Sequence, residues 1–153
     1  MSIEGALFTY LTAQAPIMAL LGKNPTRLYR DVLPELVDYP AVSFFRVGTP
    51  HVATLDAGPS ISKFQQPRFQ FDAWSADVAD SNGTSRSGAD DTLNITQALV
   101  LVLDGFRGVI SDAEGHAVRV RAVLMDDEGE RADFEKETRT FHRMVDFQVT
   151  IET

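Results

Sequence analysis

The sequence predicts an α+β domain: a mostly antiparallel sheet of about four strands with helices packed on one face. Three observations carry this. Apolar residues recur at helical spacing near the start of the chain and again around residues 92–106. Four other segments alternate apolar and polar residues or are rich in β-branched and aromatic types. Alternation means a sheet covered on one side only, so the helices must gather on that side. At 153 residues the chain fits one domain, spanning 1–153.

The elements follow in order. Ile3, Leu7, Tyr10 and Leu11 mark a first helix that Ser2 can cap. Pro16 suits the first turn of a short second helix, carried by Ile17, Met18, Leu20 and Leu21 and ended at Gly22. Arg27 to Arg30 is a short strand or an extended connection. Ala41 to Val47 is a strand. So is Arg68 to Trp74, where Phe69, Phe71 and Ala73 share the core face while Arg68, Gln70, Asp72 and Trp74 meet water or another chain. The connection between them, from Gly48 to Gln66, is long enough to suggest a functional role. A Ser, Asn and Gly-rich stretch makes a flexible polar insertion at about 76–90. Asp90 or Asp91 can then cap a helix from Thr92 to Phe106, apolar nearly all round from Ala98 to Leu103 and therefore well buried.

Two strands close the chain. In Ala117 to Met125, Val118, Val120, Ala122 and Leu124 alternate with Arg119 and Arg121. In Thr140 to Ile151, Phe141, Val145, Phe147, Val149 and Ile151 share a face that Arg143 interrupts, opposed by His142, Asp146, Gln148 and Thr150. Between them lies an acidic loop at about 126–138. From Asp126 to Glu137 there are seven acids and two bases, so −5 of the net charge of −8 sits in this one connection. Asp126, Asp127, Glu128 and Glu130 are its leading members, read as a charged tip presented to a partner or a pore.

Chemistry is excluded feature by feature. The chain has no cysteine, so there is no disulfide scaffold, thiolate metal site or cysteine nucleophile. His51, His116 and His142 are far apart and read as surface histidines, with no metal-ligand pattern. Asp126-Asp127-Glu128-Gly129 lacks the alternating oxygen ligands of a calcium loop. Gly83 and Gly88 have phosphate-loop spacing, but Ala89-Asp90 follow where Lys-Ser/Thr should stand, and an aspartate repels phosphate. Asp90-Asp91 and Asp126-Asp127 do not make a carboxylate dyad, since neighbours on a strand point to opposite faces and helix-start aspartates cap. No catalytic residue, cofactor or metal is expected. A net charge of −8 disfavours gripping nucleic acid. The longest apolar run, Ala98 to Leu103, is too short to span a bilayer, and a cytoplasmic, soluble product is expected. What remains is a protein-contact surface: Arg68, Asp72, Trp74, Arg119 and Arg121 suit the contact between subunits, because Trp and Arg are favoured at interface cores.

Leu7…Tyr10-Leu11, Ile17-Met18-Ala19-Leu20-Leu21-Gly22, Arg27-Leu28-Tyr29, Tyr39-Pro40-Ala41-Val42, Arg68-Phe69-Gln70-Phe71-Asp72-Ala73-Trp74 and Leu103-Asp104-Gly105-Phe106 together resemble the tail-completion, or tail terminator, family of long-tailed phages and prophages. The resemblance implies a structural virion protein that forms a ring, usually of six copies, on the head-proximal end of the tail tube. Its partners would be other copies of itself, the tail tube protein and a head-tail connector or neck protein. The acidic segment would face that connector, or a channel in which it repels DNA. Rival readings are a neck adaptor bound to the portal, a tube subunit, and a small soluble enzyme or binding domain.

Overall fold

The computed structural model describes residues 2–49, 51, 52, 64–79 and 85–152. Helix α1 (Ile3–Thr12) begins where Ser2 Oγ accepts the Gly5 N–H at 3.3 Å. Helix α2 (Ala15–Leu21) starts with Pro16 in its first turn and stops at Gly22, whose φ of +76° favours glycine. Both helices therefore begin and end where local sequence chemistry places them.

Among the described residues the sheet has eight strands rather than about four. The strands are β1 (Leu28–Arg30), β2 (Ala41–Gly48), β3 (His51–Val52), β4 (Phe64–Gln65), β5 (Arg68–Ala76), β8 (Gly108–Ser111), β9 (Ala117–Glu135) and β10 (Thr140–Glu152). A separate small hairpin pairs β6 (Val78–Ala79) with β7 (Ser85–Arg86). The main path runs β1-β2-β5-β10, with β9 on the far side of β10 and β8 beyond its first residues. All pairs are antiparallel except β1 with β2. The extra strands are two to four residues long, too short to show alternation. Gly48 to Gln66, expected as one long connection, holds β3 and β4; residues 50 and 53–63 lie outside the described part. So do 80–84 of the polar insertion, whose described remainder is the β6-β7 hairpin.

Helix α3 (Gly88–Leu103) starts earlier than Thr92 and is capped by Ser87, not by Asp90 or Asp91. Ser87 Oγ accepts the Asp90 N–H at 3.3 Å, and Asp77 Oδ1 accepts the Gly88 N–H at 2.8 Å. Glycine is required because a Cβ at Gly88 would lie 2.8 Å from the Ala76 carbonyl carbon and from Phe141 Cδ2. The helix is not buried all round: Ile95, Leu99 and Leu103 face the sheet, while Leu101 is exposed.

The core lies between the helices and one sheet face. Phe44, Phe69, Phe71, Phe147, Val145 and Val149 are buried there, with Phe71 stacked on Phe44 at 5.1 Å and meeting Phe147 edge-on at 5.7 Å. The predicted inward face of β5 is therefore observed. Two irregularities in β9 change the rest. Arg121 is an extra residue between the Val120–Ile151 and Ala122–Thr150 pairs, so the inward set continues at Val123 and Leu124 turns out to solvent. Residues 126–129 bulge opposite Asp146, with Gly129 at φ +65°. The acidic loop expected at 126–138 is thus mostly strand, paired with β10 as far as Glu135; only the turn around residues 136–139 links the two strands. Backbone pairing with β10 outweighs the poor strand propensity of Asp and Glu.

Candidate interaction surface

The face of the sheet that no helix covers is laid out by register. Gly48, Arg68, Gln148 and Leu124 form one row across β2, β5, β10 and β9. Ser43, Asp72, Met144 and Arg131 form another, and Ala41, Trp74, His142 and Asp133 a third. Side chains outward on β5 and β10 thus meet one another across the strands.

Arg68 anchors this face. Its Nη2 lies 2.6 Å from Asp146 Oδ2 and 2.9 Å from Asp126 Oδ2, and its Nε donates to Asp146 at 3.2 Å. Arg131 Nη2 is 3.5 Å from the other Asp146 oxygen. Asp146 is only 3% exposed, and burying a carboxylate is costly unless opposite charge is held against it. Further along, the Trp74 and His142 rings stack with centroids 3.7 Å apart and planes 6° from parallel. His142 Nε2 is 3.5 Å from Asp72 Oδ1, and that oxygen accepts from Gln70 Nε2 at 2.8 Å. Arg68, Asp72 and Trp74, singled out from sequence, therefore lie together on one surface, with His142, Asp146 and Arg131 as partners that spacing alone did not reveal.

Arg119 and Arg121 stand at the β8-β9 end of the same sheet. Both ion-pair with Glu152, Arg119 at 3.9 Å. Exposed Val109 faces Arg119 across the β8-β9 pair, and Arg107 lines the same shallow recess.

The acidic set divides. Glu130 pairs with Val145 and so points under α3, where it meets Arg143 Nη1 at 2.6 Å and accepts from Thr96 Oγ1 at 2.9 Å. This explains why Arg143 can interrupt an apolar face. Asp126 is held by Arg68. Asp127 and Glu128 lie in the bulge, with side chains outside the described part. Glu130 is therefore half-buried beneath α3, and Asp126 and Glu130 both have arginine partners. The exposed stretch 131–139 carries Asp133, Glu135 and Glu137 against Arg131, Lys136 and Arg139. The hairpin end is charged but balanced, unlike the −5 read over 126–137.

Two surface features were missed in sequence. One is a groove of about 590 Å³ lined by Val47, Gly48, Arg68, Leu124, Met125, Asp126 and Gln148. The other is the segment 31–40, where Val32 and Leu36 stand out in water. The groove depends on the β9 irregularities, which no spacing announces; the segment's signal is apolar residues among Pro34, Pro40 and three acids.

Metal-type ligands converge at Asp112, Glu114 and His116, in the turn between β8 and β9, with ligand atoms within 4.8 Å of one another. Asp112 Oδ1 already accepts the N–H of Glu114 at 3.0 Å and of His116 at 2.8 Å, and Oδ2 meets His116 Nδ1 at 3.0 Å. Desolvation pushes the Asp112 carboxyl up, but these bonds and the nearby imidazole outweigh it and hold the carboxyl below its usual range. The group locks the turn. His51 falls in β3, its side chain outside the described part. No helix among the described residues is long and apolar enough to cross a membrane.

Comparison with known proteins completes the picture. The profile of a family described as tail completion protein gp17 matches residues 5–152. A solved chain titled "Virion of native gene transfer agent (GTA) particle" superposes with a TM-score of 0.67 at 17% identity, covering 99% of this chain and 96% of that chain. At that identity the likeness is one of fold. No curated protein matches the sequence.

Proposed function

The chain belongs to the tail completion protein gp17 family, and from that premise we propose that it assembles into a ring that caps the head-proximal end of a phage tail tube and offers the surface for joining the head. Family membership itself makes it a structural component of the virion, in the tail and neck region. The ring, with six copies as the expected number, and its partners, the tube protein below and a connector above, are the proposal.

One observation supports it most. The sheet face that no helix covers runs from the β1 edge to the β8-β9 edge, and the two ends differ: an acidic, apolar segment at one, an arginine-rich recess at the other. Contacts between unlike patches on successive copies are heterologous, and heterologous contacts make a ring where the rotation from copy to copy closes and an open filament where it does not. Arg68, Asp72, Trp74, Arg119 and Arg121 lie on that face, which suits them as subunit-interface residues. Asp127 and Glu128 are the members of the acidic segment kept for a connector-facing or channel-facing role.

Electron microscopy of negatively stained purified chain, alone and mixed with tail tubes, tests the reading. Rings and tubes closed at one end are expected. Polymerisation into tubes, or binding to portal rings with tubes ignored, would replace it with a tube subunit or a neck adaptor.

A further inference from the structure

The uncovered face holds a titratable group to which the ring reading gives no role. His142 stands opposite Trp74 in the β5-β10 pair and opposite Asp133 in the β9-β10 pair. Its ring lies flat on the indole, centroids 3.7 Å apart and planes 6° from parallel. Nε2 is buried and has no hydrogen-bond partner among the described residues, while Asp72 Oδ1 lies 3.5 Å away. With side chains 18% and 11% exposed, His142 and Asp72 stay within reach of protons from water, yet the pair is only weakly screened.

We propose that Trp74, His142 and Asp72 form a proton-operated clamp between β5 and β10: the neutral imidazole stacks on Trp74 without bonding Asp72, and the protonated imidazole donates from Nε2 to Asp72 with its charge over the indole face. Histidine is the side chain that ordinarily changes charge between about pH 5 and 8. The neutral ring carries hydrogen on one nitrogen and the protonated ring on both, so Nε2 becomes a donor whichever tautomer came before.

Three observations support the clamp. The first is the gap. Nε2 and Oδ1 need to approach by only about 0.5 Å to reach an ordinary hydrogen bond, and Gln70 Nε2, at 2.8 Å, takes one lone pair of Oδ1 and leaves the other. The second is the stack. Centroids at 3.7 Å leave little offset, the less favoured arrangement for two neutral rings and a good one for a cation over tryptophan. The third is the surrounding charge. On this face, among the described residues, β5 contributes Asp72, and β9 contributes Asp133 opposite His142, with Glu135 and Arg131 one outward position away on either side. Arg131 reaches instead towards Asp146, which Arg68 also holds. Across β5, the β2 positions are uncharged Ala41 and Ser43. Arg143, next to His142 in the chain, serves Glu130 on the other face. Acids therefore outnumber bases around the ring. A proton that gains these partners only in the folded chain is held more tightly there, so the clamp adds stability as pH falls through the histidine range and gives it up as pH rises.

Trp74 is the chain's single tryptophan, so its fluorescence reports on this stack alone. Protonated imidazole quenches an indole that it touches. Emission of the unaltered chain, kept dilute, should fall in one step between pH 8 and 5, with the circular dichroism unchanged. His142→Gln should remove the step. Asp72→Asn, which keeps the shape and removes the charge, should move its midpoint to lower pH. The melting temperature of the unaltered chain relative to His142→Gln should rise by roughly 2–4 °C over the same acidification.

Emission that stays flat in the folded, unaltered chain overturns the clamp without recourse to any variant. A step that survives in His142→Gln assigns the proton to another group, and a midpoint that Asp72→Asn leaves in place removes the carboxylate as partner; either result ends the inference. The readout lies within one copy, so it succeeds or fails independently of the ring.

Discussion

The two faces of one sheet obey different rules. On the helix-covered face, Phe69, Phe71, Phe147, Val145 and Val149 follow strict alternation and disappear into a common core with α1, α2 and α3. On the opposite face the same strands present Arg68, Asp72, Trp74, His142 and Asp146, tied by ion pairs and a ring stack instead of burial among apolar groups. The first face holds the domain together; the second is the one proposed above for contact with other chains. Substitutions should therefore divide by face: inward ones should cost stability, and outward ones assembly, except where an outward residue covers a buried charge.

The largest effect should come from the core. Phe71→Ala removes a ring packed between Phe44 and Phe147 and should cost about 3–5 kcal/mol in denaturant unfolding. A smaller loss would mean that the covered face is less tightly packed than its rings imply. Arg68 is the exception on the other face. Arg68→Met keeps the aliphatic stem but leaves Asp146, among the described residues, with Arg131 at 3.5 Å as its cationic partner, which should cost about 2–4 kcal/mol. Combining it with Asp146→Leu should restore most of that loss. A double variant as unstable as the sum of its parts would show that the pair does not act as a unit.

Legibility in the sequence divides along the same line. The inward residues of β5 and most of those of β10 could be read because alternation alone decides them. So could α1 and α2, whose ends are fixed by Ser2, Pro16 and Gly22. The start of α3 could not, because Gly88 is chosen by its close approach to Ala76 and Phe141, residues distant in the chain. Nor could the outward turn of Leu124, which follows from one extra residue at Arg121, or the inward turn of Glu130, which follows from the bulge at 126–129. Irregularities are settled by what the neighbouring strand offers, and a single strand's pattern carries no record of that. The candidate surface was legible as residue types, Arg68 and Trp74 among them. Their partners, His142 and Asp146, became visible only when β10 was laid beside β5.

Where α3 meets the sheet, the effect should be intermediate. Gly88→Ala places a methyl 2.8 Å from backbone and ring atoms, and should cost about 1–3 kcal/mol in spite of alanine's better helix propensity. A neutral or stabilising outcome would mean that the β5 end and Phe141 yield easily, and that the covered face is softer at this corner than at Phe71.

The smallest effect should appear at the rim, where the two faces join. Arg46 is in register with inward Phe69, and its guanidinium reaches over that ring to Glu4 of α1, Nε to Oε1 at 2.8 Å. Burial raises the Glu4 carboxyl, but the Ser2 hydroxyl, the local backbone and Arg46 together outweigh it and hold it below its ordinary 4.5. A carboxyl lowered in the folded state binds protons more readily when unfolded, so its contribution is present above the ordinary value and fades as pH falls through the folded one. Glu4→Gln should therefore lower stability at neutral pH by less than about 1 kcal/mol, because the pair is partly exposed and salt screens it. The difference from the unaltered chain should vanish in acid, and shrink in high salt at neutral pH. Unfolding curves at several pH values give the comparison directly. A loss that stayed constant down to acid pH would mean that Glu4 acts through its packing beside Ser2 and Arg46 and not through its charge, and the rim would then belong with the covered face.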